Sequence, residues 1–532
     1  MTFRISSCNA LVAAALLTAF ACSSTDSASP APDASVPDAA PSMDAAPDES
    51  VVFTPCDLHS EGGGAAAECA TTQTPLDPNK PNGEQISMFV KRYRAPGGKG
   101  LRQLWMLQGG PGASGYAFEG MAEAIATKYP DVDFYMPDHR GTGRSNKLDC
   151  GAAETTESEG GIAITPAEWP TCLELVRTKY KEQLAHFTTT NAANDIGVLI
   201  RRLQQPGVPA FVYGVSYGTY WAHRYLQMFP EQPAGVVFDS ILPQGGSLAQ
   251  QDADANEAGR DYFAMCGRDT FCKQKLGADP WAKVTALFDK LKTGHCSEVA
   301  LPDFPTHILL RRAFGSLMMD VNLRSYIAPI VYRFDRCNST DIPALRVLLA
   351  KLTEEQPESE MMKQWGWTLF NNVAYSELWE TPAPTVQSLA AIREASVVSR
   401  DVTEVLEPTL GKWPTYTPDS YASSYATSSK PLLFLQGGLD PATLRRKARD
   451  VRPHFQGKNQ HWVEIETAGH TVIVSSATPA KRSCGTMIMM SFLENPNGEL
   501  DQSCVATVLP IDFANTRTAY NQALFGRSDA WE

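Results

Sequence analysis

The stretch Ala210-Phe-Val-Tyr-Gly-Val-Ser216-Tyr-Gly-Thr-Tyr220, continued by Trp221-Ala-His-Arg-Tyr-Leu-Gln-Met228, decides how the chain folds. Ala210 to Tyr213 is a short apolar and aromatic run with the character of a buried strand, and Trp221 to Met228 reads as a helix. Between them lies Gly214-Val215-Ser216-Tyr217-Gly218, a Gly-x-Ser-x-Gly. Strand, sharp turn and helix in this order make a nucleophile elbow. A serine at so tight a turn holds a strained backbone, and glycine two positions either side lets strand and helix pass closely. Its hydroxyl then stands clear of the sheet, above a helix N-terminus that favours developing negative charge. The five-residue pattern alone also fits a plain Gly/Ser turn; the flanking strand and helix tip the balance toward chemistry.

Downstream, Pro431-Leu-Leu-Phe-Leu-Gln436 reads as a buried strand ending in Gly437-Gly-Leu-Asp440-Pro441. A polar helix, Leu444 to Arg449, separates it from the last strand, His461 to Glu466, which ends in Ala468-Gly469-His470-Thr471. Ser216, Asp440 and His470 thus fall at three strand ends in the order Ser, Asp, His, which is the chain order of the α/β-hydrolase fold. Ser216 alone is a poor nucleophile: His470 would take its proton, and Asp440 would fix the imidazole tautomer and stabilise the imidazolium. Asp239, at the end of the strand Val236–Ser240, is a displaced alternative for the acid.

Upstream, the strand Gln103–Leu107 runs into Gln108-Gly-Gly-Pro-Gly-Ala-Ser-Gly115. Gly110, Gly112 and Gly115 form a crude dinucleotide fingerprint, with Asp138 following a second strand, Val132–Met136. Pro111 removes an amide from the would-be phosphate cradle, and no helix pattern opens before Glu119, so we read the loop otherwise. The Gly110 N–H is the expected half of an oxyanion hole completed by the Tyr217 N–H. Glu84–Tyr93 reads as an edge strand with Ile86, Met88 and Val90 on one face, blurred by Phe89. In Asp138-His-Arg-Gly-Thr-Gly-Arg-Ser145, the acid and Arg140 are expected to brace the site's rim through a local ion pair, and His139 is structural because it precedes the nucleophile. Thr189 to Leu203 reads as an amphipathic helix leading to the elbow strand.

With 532 residues the chain can bury one large core and an inserted domain, and its 43% hydrophobic and 20% charged residues are ordinary for a globular protein. A formal charge of −13 argues against nucleic acid or an anionic membrane surface as partner. Residues 1–21 read as a leader: Arg4, an apolar run from Leu11 to Ala21 too short to span a bilayer, and the small-x-small site Ala19-Phe-Ala21. Cys22 follows at once and resembles the lipobox cysteine of bacterial lipoproteins, although Ala19 stands where Leu is usual; cleavage after Ala21 without lipidation is the alternative. Residues 22–52, rich in Ala, Ser, Pro and Asp, read as a flexible acidic tether. The first part of the hydrolase core is then 53–245, a mostly helical inserted cap 246–429, and the second part of the core, with a C-terminal disulfide segment, 430–532.

Ten cysteines remain beyond Cys8 and Cys22, and an even count in an exported chain favours disulfides. Pairing sequence neighbours gives 56–69, 150–172, 266–272, 296–337 and 484–504, an expectation from proximity alone. Neither Cys-x-x-Cys nor His-Glu-x-x-His occurs, so no metal site is expected, and the chemistry calls for no cofactor.

Taken together, these motifs resemble the prolyl and tripeptidyl aminopeptidase family of α/β-hydrolases. Gly109–Gly115 looks like that family's oxyanion loop, Asp138–Ser145 its Asp-x-Arg-Gly-x-Gly-x-Ser, and 214–220 its elbow. Cys69 before Pro75-Leu-Asp77, and Cys484 with Phe492-Leu, Pro496-Asn-Gly498 and Cys504, resemble the secreted tripeptidyl branch and support the 484–504 pairing. The resemblance covers most of residues 55–510 but is thin through the cap. It implies a serine exopeptidase that removes a residue or short peptide from a free N-terminus, which needs a cap carboxylate for the substrate ammonium. Asn371-Asn-Val-Ala-Tyr-Ser-Glu377 resembles the relevant cap segment, with Tyr375 in place of the family's Cys, and nominates Glu377. The alternatives are an esterase or other amide or ester hydrolase on the same triad, and a non-catalytic surface lipoprotein.

Overall fold

The computed structural model describes residues 51–302, 304–354 and 359–532. The leader, Cys22 and the tether as far as residue 50 lie outside the described residues. Nine strands form one mixed sheet: β1 (Thr54–Asp57), β2 (Ala66–Pro75), β3 (Gln85–Tyr93), β4 (Arg102–Leu107), β5 (Val132–Pro137), β6 (Ala210–Ser216), β7 (Gly235–Ile241), β8 (Leu432–Gly437) and β9 (Gln460–Ile465). Their spatial order is β1-β2-β3-β5-β4-β6-β7-β8-β9. The first three and the β3–β5 pairing are antiparallel, and everything from β5 to β9 is parallel.

The central strands are continuous apolar runs because helices cover both faces. Along β4, Leu104 and Met106 join the core on one side of the sheet while Trp105 and Leu107 join the other. Phe211, Tyr213 and Val215 of β6 face the first side, and Ala210 and Val212 the second. This is the two-residue period of a strand whose neighbours are apolar above and below. The amphipathic helix Thr189–Leu203 precedes β6 as expected, and its N-cap Thr188 accepts the Asn191 N–H at 3.0 Å.

Two expectations are corrected here. β3 is not an edge strand: β2 pairs with it along eight residues, from Glu68 opposite Arg92 to Pro75 opposite Gln85. Phe89 is therefore buried along with Ile86, Met88 and Val90, which is why the alternation blurred. Arg140 does not pair with Asp138. Its guanidinium makes a forked contact with Asp195, 2.7 Å from each carboxylate oxygen, both side chains wholly buried. Asp138 instead accepts from Arg144 Nε at 2.9 Å and from the Gly115 N–H at 2.8 Å. The partner of Arg140 lies 55 residues away in the helix before the elbow, beyond the reach of any local reading.

Between β7 and β8 the chain runs through helices, the longest being Gln251–Arg268, around a separate core that includes Phe263, Leu287, Phe314, Ile330 and Leu345. The end of the chain joins this helical core and not the sheet: Phe525 and Trp531 are buried in it, and Arg333 Nε donates to the Ala530 carbonyl at 2.7 Å. Five disulfides link Cys56–Cys69, Cys150–Cys172, Cys266–Cys272, Cys296–Cys337 and Cys484–Cys504. Among the described residues no helix is long and apolar enough to cross a membrane.

Candidate active site

Ser216 ends β6 and starts the helix Tyr217–Met228, with φ 58° and ψ −127°. Such a backbone is costly for a residue with a Cβ, and it is held by the close passage of strand and helix. A Cβ on Gly214 would fall 2.1 Å from the Gly218 carbonyl oxygen, and one on Gly218 would fall 2.1 Å from that of Leu107. Both elbow glycines are thus required by contact, not by habit.

At the end of β8, Asp440 accepts the Ala442 and Thr443 N–H groups, each at 2.8 Å, and the Thr443 hydroxyl at 2.7 Å. His470 Nδ1 lies 3.0 and 2.9 Å from the two Asp440 oxygens. Burial works to raise the Asp440 pKa, but the nearby imidazole and the Thr443 donors outweigh it, so the carboxyl stays below its ordinary value and ionised. That leaves Nε2 of His470 as the free ring nitrogen. Ser216 and His470 line the same two cavities, with no described hydrogen bond between them.

Asp239 does not face the imidazole. Its carboxylate accepts the Val472 N–H at 2.7 Å and the Ile473 N–H at 3.0 Å, and Ser240 Oγ accepts the Thr471 N–H at 2.8 Å. These bonds pin the turn immediately after His470, where Thr471 has φ 61°. Asp239 positions the histidine's segment, and Asp440 contacts the ring.

The Gly110 loop bends beside the elbow: a Cβ on Gly109 would meet the Ser216 Cβ at 2.8 Å, and Gly110 has φ 114°. The Gly110 N–H has no acceptor among the described hydrogen bonds. Tyr217, first residue of its helix, offers an N–H that has no intrahelical partner. The helical insertion clamps this loop. Gly366 N–H donates to the Gly112 carbonyl at 2.8 Å, and the Gln364 carbonyl accepts from Gly143 N–H and Thr142 Oγ1, both at 2.9 Å. Gln364 Oε1 in turn accepts from Ser114 Oγ at 2.9 Å.

His139 is structural, as expected. Its Nδ1 lies 2.7 Å from the Arg140 carbonyl and its Nε2 3.2 Å from the Tyr217 hydroxyl, and burial pushes its pKa down to about 3.

Glu377 is not brought to Ser216. It ends the helix Trp367–Glu377, where Oε1 accepts from the Thr189 N–H at 2.9 Å and the Tyr416 hydroxyl at 2.7 Å. Oε2 accepts from the Tyr220 hydroxyl and Arg224 Nη2, both at 3.1 Å. It borders a separate polar depression with Asp77, His186 and Asp419 and is absent from the walls of the two serine cavities. A carboxylate already saturated by four donors, one of them a buried guanidinium, has no lone pair left for an ammonium.

Counting the open solvent at their mouths, the larger cavity spans about 840 Å³ and the smaller about 630 Å³. Leu242, Leu248, Trp367, Phe370 and Val402 wall the first, with Arg400 and Gln251; Phe118, Met121, Met361 and Val474 wall the second, with Gln108. Trp365 belongs to both. Trp365, Gln251 and Arg400 escaped the sequence reading because the insertion carries no motif to mark them. Among the described residues no group of three or more His, Cys, Asp or Glu side chains is placed to hold a metal ion.

The family model described as "alpha/beta hydrolase fold" matches residues 104–260, and that described as "TAP-like protein" matches 399–504. Gly110, Ser216 and Tyr217 fall in the first segment, and Asp440 and His470 in the second. A tripeptidyl aminopeptidase of Streptomyces coelicolor is 29% identical over 191 residues, 33% of this chain and 35% of that one. The serine protease Hip1 of Mycobacterium tuberculosis is 26% identical over 268 residues, 45% of this chain and 49% of that one. The matches therefore span about a third to a half of these relatives' lengths. A solved thermophilic esterase from Thermogutta terrifontis overlaps 76% of this chain and 93% of its own at 12% identity and a TM-score of 0.31.

Proposed function

We propose, for a chain that belongs to the α/β-hydrolases and resembles the prolyl and tripeptidyl aminopeptidase family within them, that it is a serine peptidase acting on short peptides through an acyl-enzyme. The observation that carries this reading is the meeting of Ser216, strained at its elbow, with the Asp440-bound His470 along both cavities. In the first half-reaction Ser216 Oγ attacks the scissile carbonyl carbon and its proton passes to His470 Nε2. The oxyanion that forms is received by the Gly110 and Tyr217 amides. Collapse breaks the C–N bond, and His470 returns the proton to the departing amine. Water then repeats the sequence on the ester, releasing the acid and restoring Ser216. Asp440 remains ionised throughout and holds the imidazolium while it exists. The steps require neither metal nor organic cofactor.

The likeness to a tripeptidyl aminopeptidase favours release of short pieces from free N-termini. The reading is tested with Ala-Ala-Pro and Pro fluorogenic amides, free or acetylated, with Ser216→Ala as control. Cleavage of free substrates alone supports the aminopeptidase; equal cleavage of both forms sinks it and leaves a general serine peptidase. One observation favours the esterase reading as a rival: neither serine cavity has an Asp or Glu among its described lining residues. Ester turnover without any peptide turnover would establish that rival.

Five disulfides fit an oxidising compartment, so we place the enzyme outside the cytoplasm. Attachment through a lipid on Cys22 rests on the sequence alone; palmitate labelling that disappears in Cys22→Ser supports it, and labelling-free export overturns it.

A further inference from the structure

Arg400 sits in the loop between the helices Val386–Ala395 and Val402–Leu406 and lines the larger serine cavity. The loop is built firmly. Asn256 Oδ1 accepts the Val397 N–H at 3.0 Å, Ser399 Oγ donates to Asp252 at 2.9 Å, and Asp401, at φ 49°, pairs with Arg311 at 3.3 Å. Arg400 is half-buried, and enough protein surrounds its guanidinium that desolvation pulls its pKa below the usual value.

A guanidinium offers five N–H donors and accepts nothing. Within the described protein, Arg400 uses Nη1 alone, toward Gln251 Oε1 at 2.9 Å. No described carboxylate lies within ion-pair distance. The two acids whose charge reaches it are spent elsewhere: Asp440 on His470 and Thr443, Asp252 on Ser399 and Thr403. Gln251 is itself fixed, donating Nε2 to the Ala442 carbonyl at 2.8 Å, so it presents its oxygen to Arg400 and holds the fork in place. The Nε1 atoms of Trp365 and Trp367, on the same cavity's walls, are buried and also lack an acceptor. The described lining of the cavity is thus largely apolar, holds the unspent N–H groups of Arg400 and includes no carboxylate. The unused N–H groups of Arg400 stand at the cavity wall, where an acceptor on a bound molecule can reach them.

Resting on the reading of Ser216 as the nucleophile of a hydrolase, we propose that Arg400 receives a substrate carboxylate, placed away from the bond being cut. Substrates of this site are then short acids: peptides whose C-terminal carboxylate lies on the leaving side, or acyl groups ending in a carboxylate. The fork geometry of Arg400, preorganised by Gln251, suits a carboxylate's two oxygens. The carboxylate does not enter the chemistry; it sets register and selects the substrate.

Two substrate pairs test the proposal and separate the two sources. The first is Ala-Ala-Pro-Ala with a free or an amidated C-terminus. The second is the p-nitrophenyl ester of glutaric acid against that of monomethyl glutarate. The expected result is a kcat/KM preference for the acid of about tenfold or more in at least one pair, carried mainly by KM. Arg400→Gln should bring that ratio near one, and Arg400→Lys should retain part of it. The ratio is internal to each variant, so partial loss of folded enzyme does not disturb it. Ratios near one for both pairs in the wild-type protein overturn the proposal, as does a preference that survives Arg400→Gln. If esters turn over with the expected ratio and no peptide is cut, the peptidase reading falls and the role of Arg400 stands. If peptides are cut with no acid preference in either pair, the reverse holds. No turnover of any substrate overturns both.

Discussion

The Arg224 guanidinium lies 3.1 Å from the Glu377 carboxylate, with 1% of either side chain exposed. Removing Glu377 leaves Arg224 buried with only Asp419, at 3.6 Å, as a counter-charge; breaking such a buried pair costs up to about 3–5 kcal/mol. Glu377→Gln should therefore lower the unfolding midpoint sharply. What remains folded should show the same KM ratio for free and acetylated peptides as the wild type. A selective loss of the free-amine substrate, at unchanged stability, would restore Glu377 as the ammonium anchor.

The two acids near His470 should separate cleanly. Ser216→Ala and Asp440→Asn should each cost about 10⁴-fold or more in kcat; Asp440 accepts two backbone N–H groups as Asp239 does, so its variant should also lose about 1–3 kcal/mol of stability. Asp239→Asn turns an acceptor of two backbone N–H groups into a poorer one. We expect about 1–3 kcal/mol of stability to be lost, with a much smaller fall in kcat than Asp440→Asn gives. Equal kinetic losses from the two variants would show that the acid had been assigned to the wrong residue.

Acid should destabilise the protein earlier than its carboxylates alone would dictate. Burial holds both His139 and His223 at pKa values of about 3, against roughly 6.5 in an unfolded chain. Between those values the unfolded state binds the extra protons, so stability rises with pH and is lost as pH falls below about 6.5. Each histidine contributes a slope of up to about 1.4 kcal/mol per pH unit. Urea midpoints measured from pH 7.5 to 5 should fall steadily, and His139→Asn should flatten the curve by its share. A level profile across that range would mean that neither imidazole is held neutral.

Gln364 should matter to turnover although it touches no reacting atom. Its side chain accepts from Ser114 Oγ at 2.9 Å, within the loop that carries Gly110. Gln364→Ala should lower kcat on even a small ester such as p-nitrophenyl acetate by about tenfold, with KM nearly unchanged. Unchanged kcat would mean that the loop keeps its shape unaided.

The elbow and the order of Ser216, Asp440 and His470 were legible because each is written in a short local pattern at a strand end. The central strands were legible for the same reason, as compact apolar runs. Arg140 found Asp195 and Asp239 found Val472 across long separations that no local pattern encodes. β3 looked like an edge because β2, polar in composition as AAECATTQTP, gave little sign that it would cover it. Glu377 was nominated as an ammonium anchor because its neutralising cation lies 153 residues away, on the elbow helix, where no local pattern shows it. Arg400 stands in a stretch with neither repeat nor motif, and only its placement in a cavity distinguishes it from any other arginine.

The bonds from Gln364 and Gly366 to the Gly110 loop make the insertion and the anion-receiving amide one mechanical part. Over evolutionary time that ties two traits together. A lineage that reseats the whole insertion to admit a bulkier substrate also shifts the N–H on which its rate depends, and selection meets both effects at once. Individual wall residues such as Arg400 and Phe370 lie outside that linkage and can be exchanged singly. Diversification in this architecture should accumulate there, residue by residue, while the contact between residues 364–366 and the loop stays fixed.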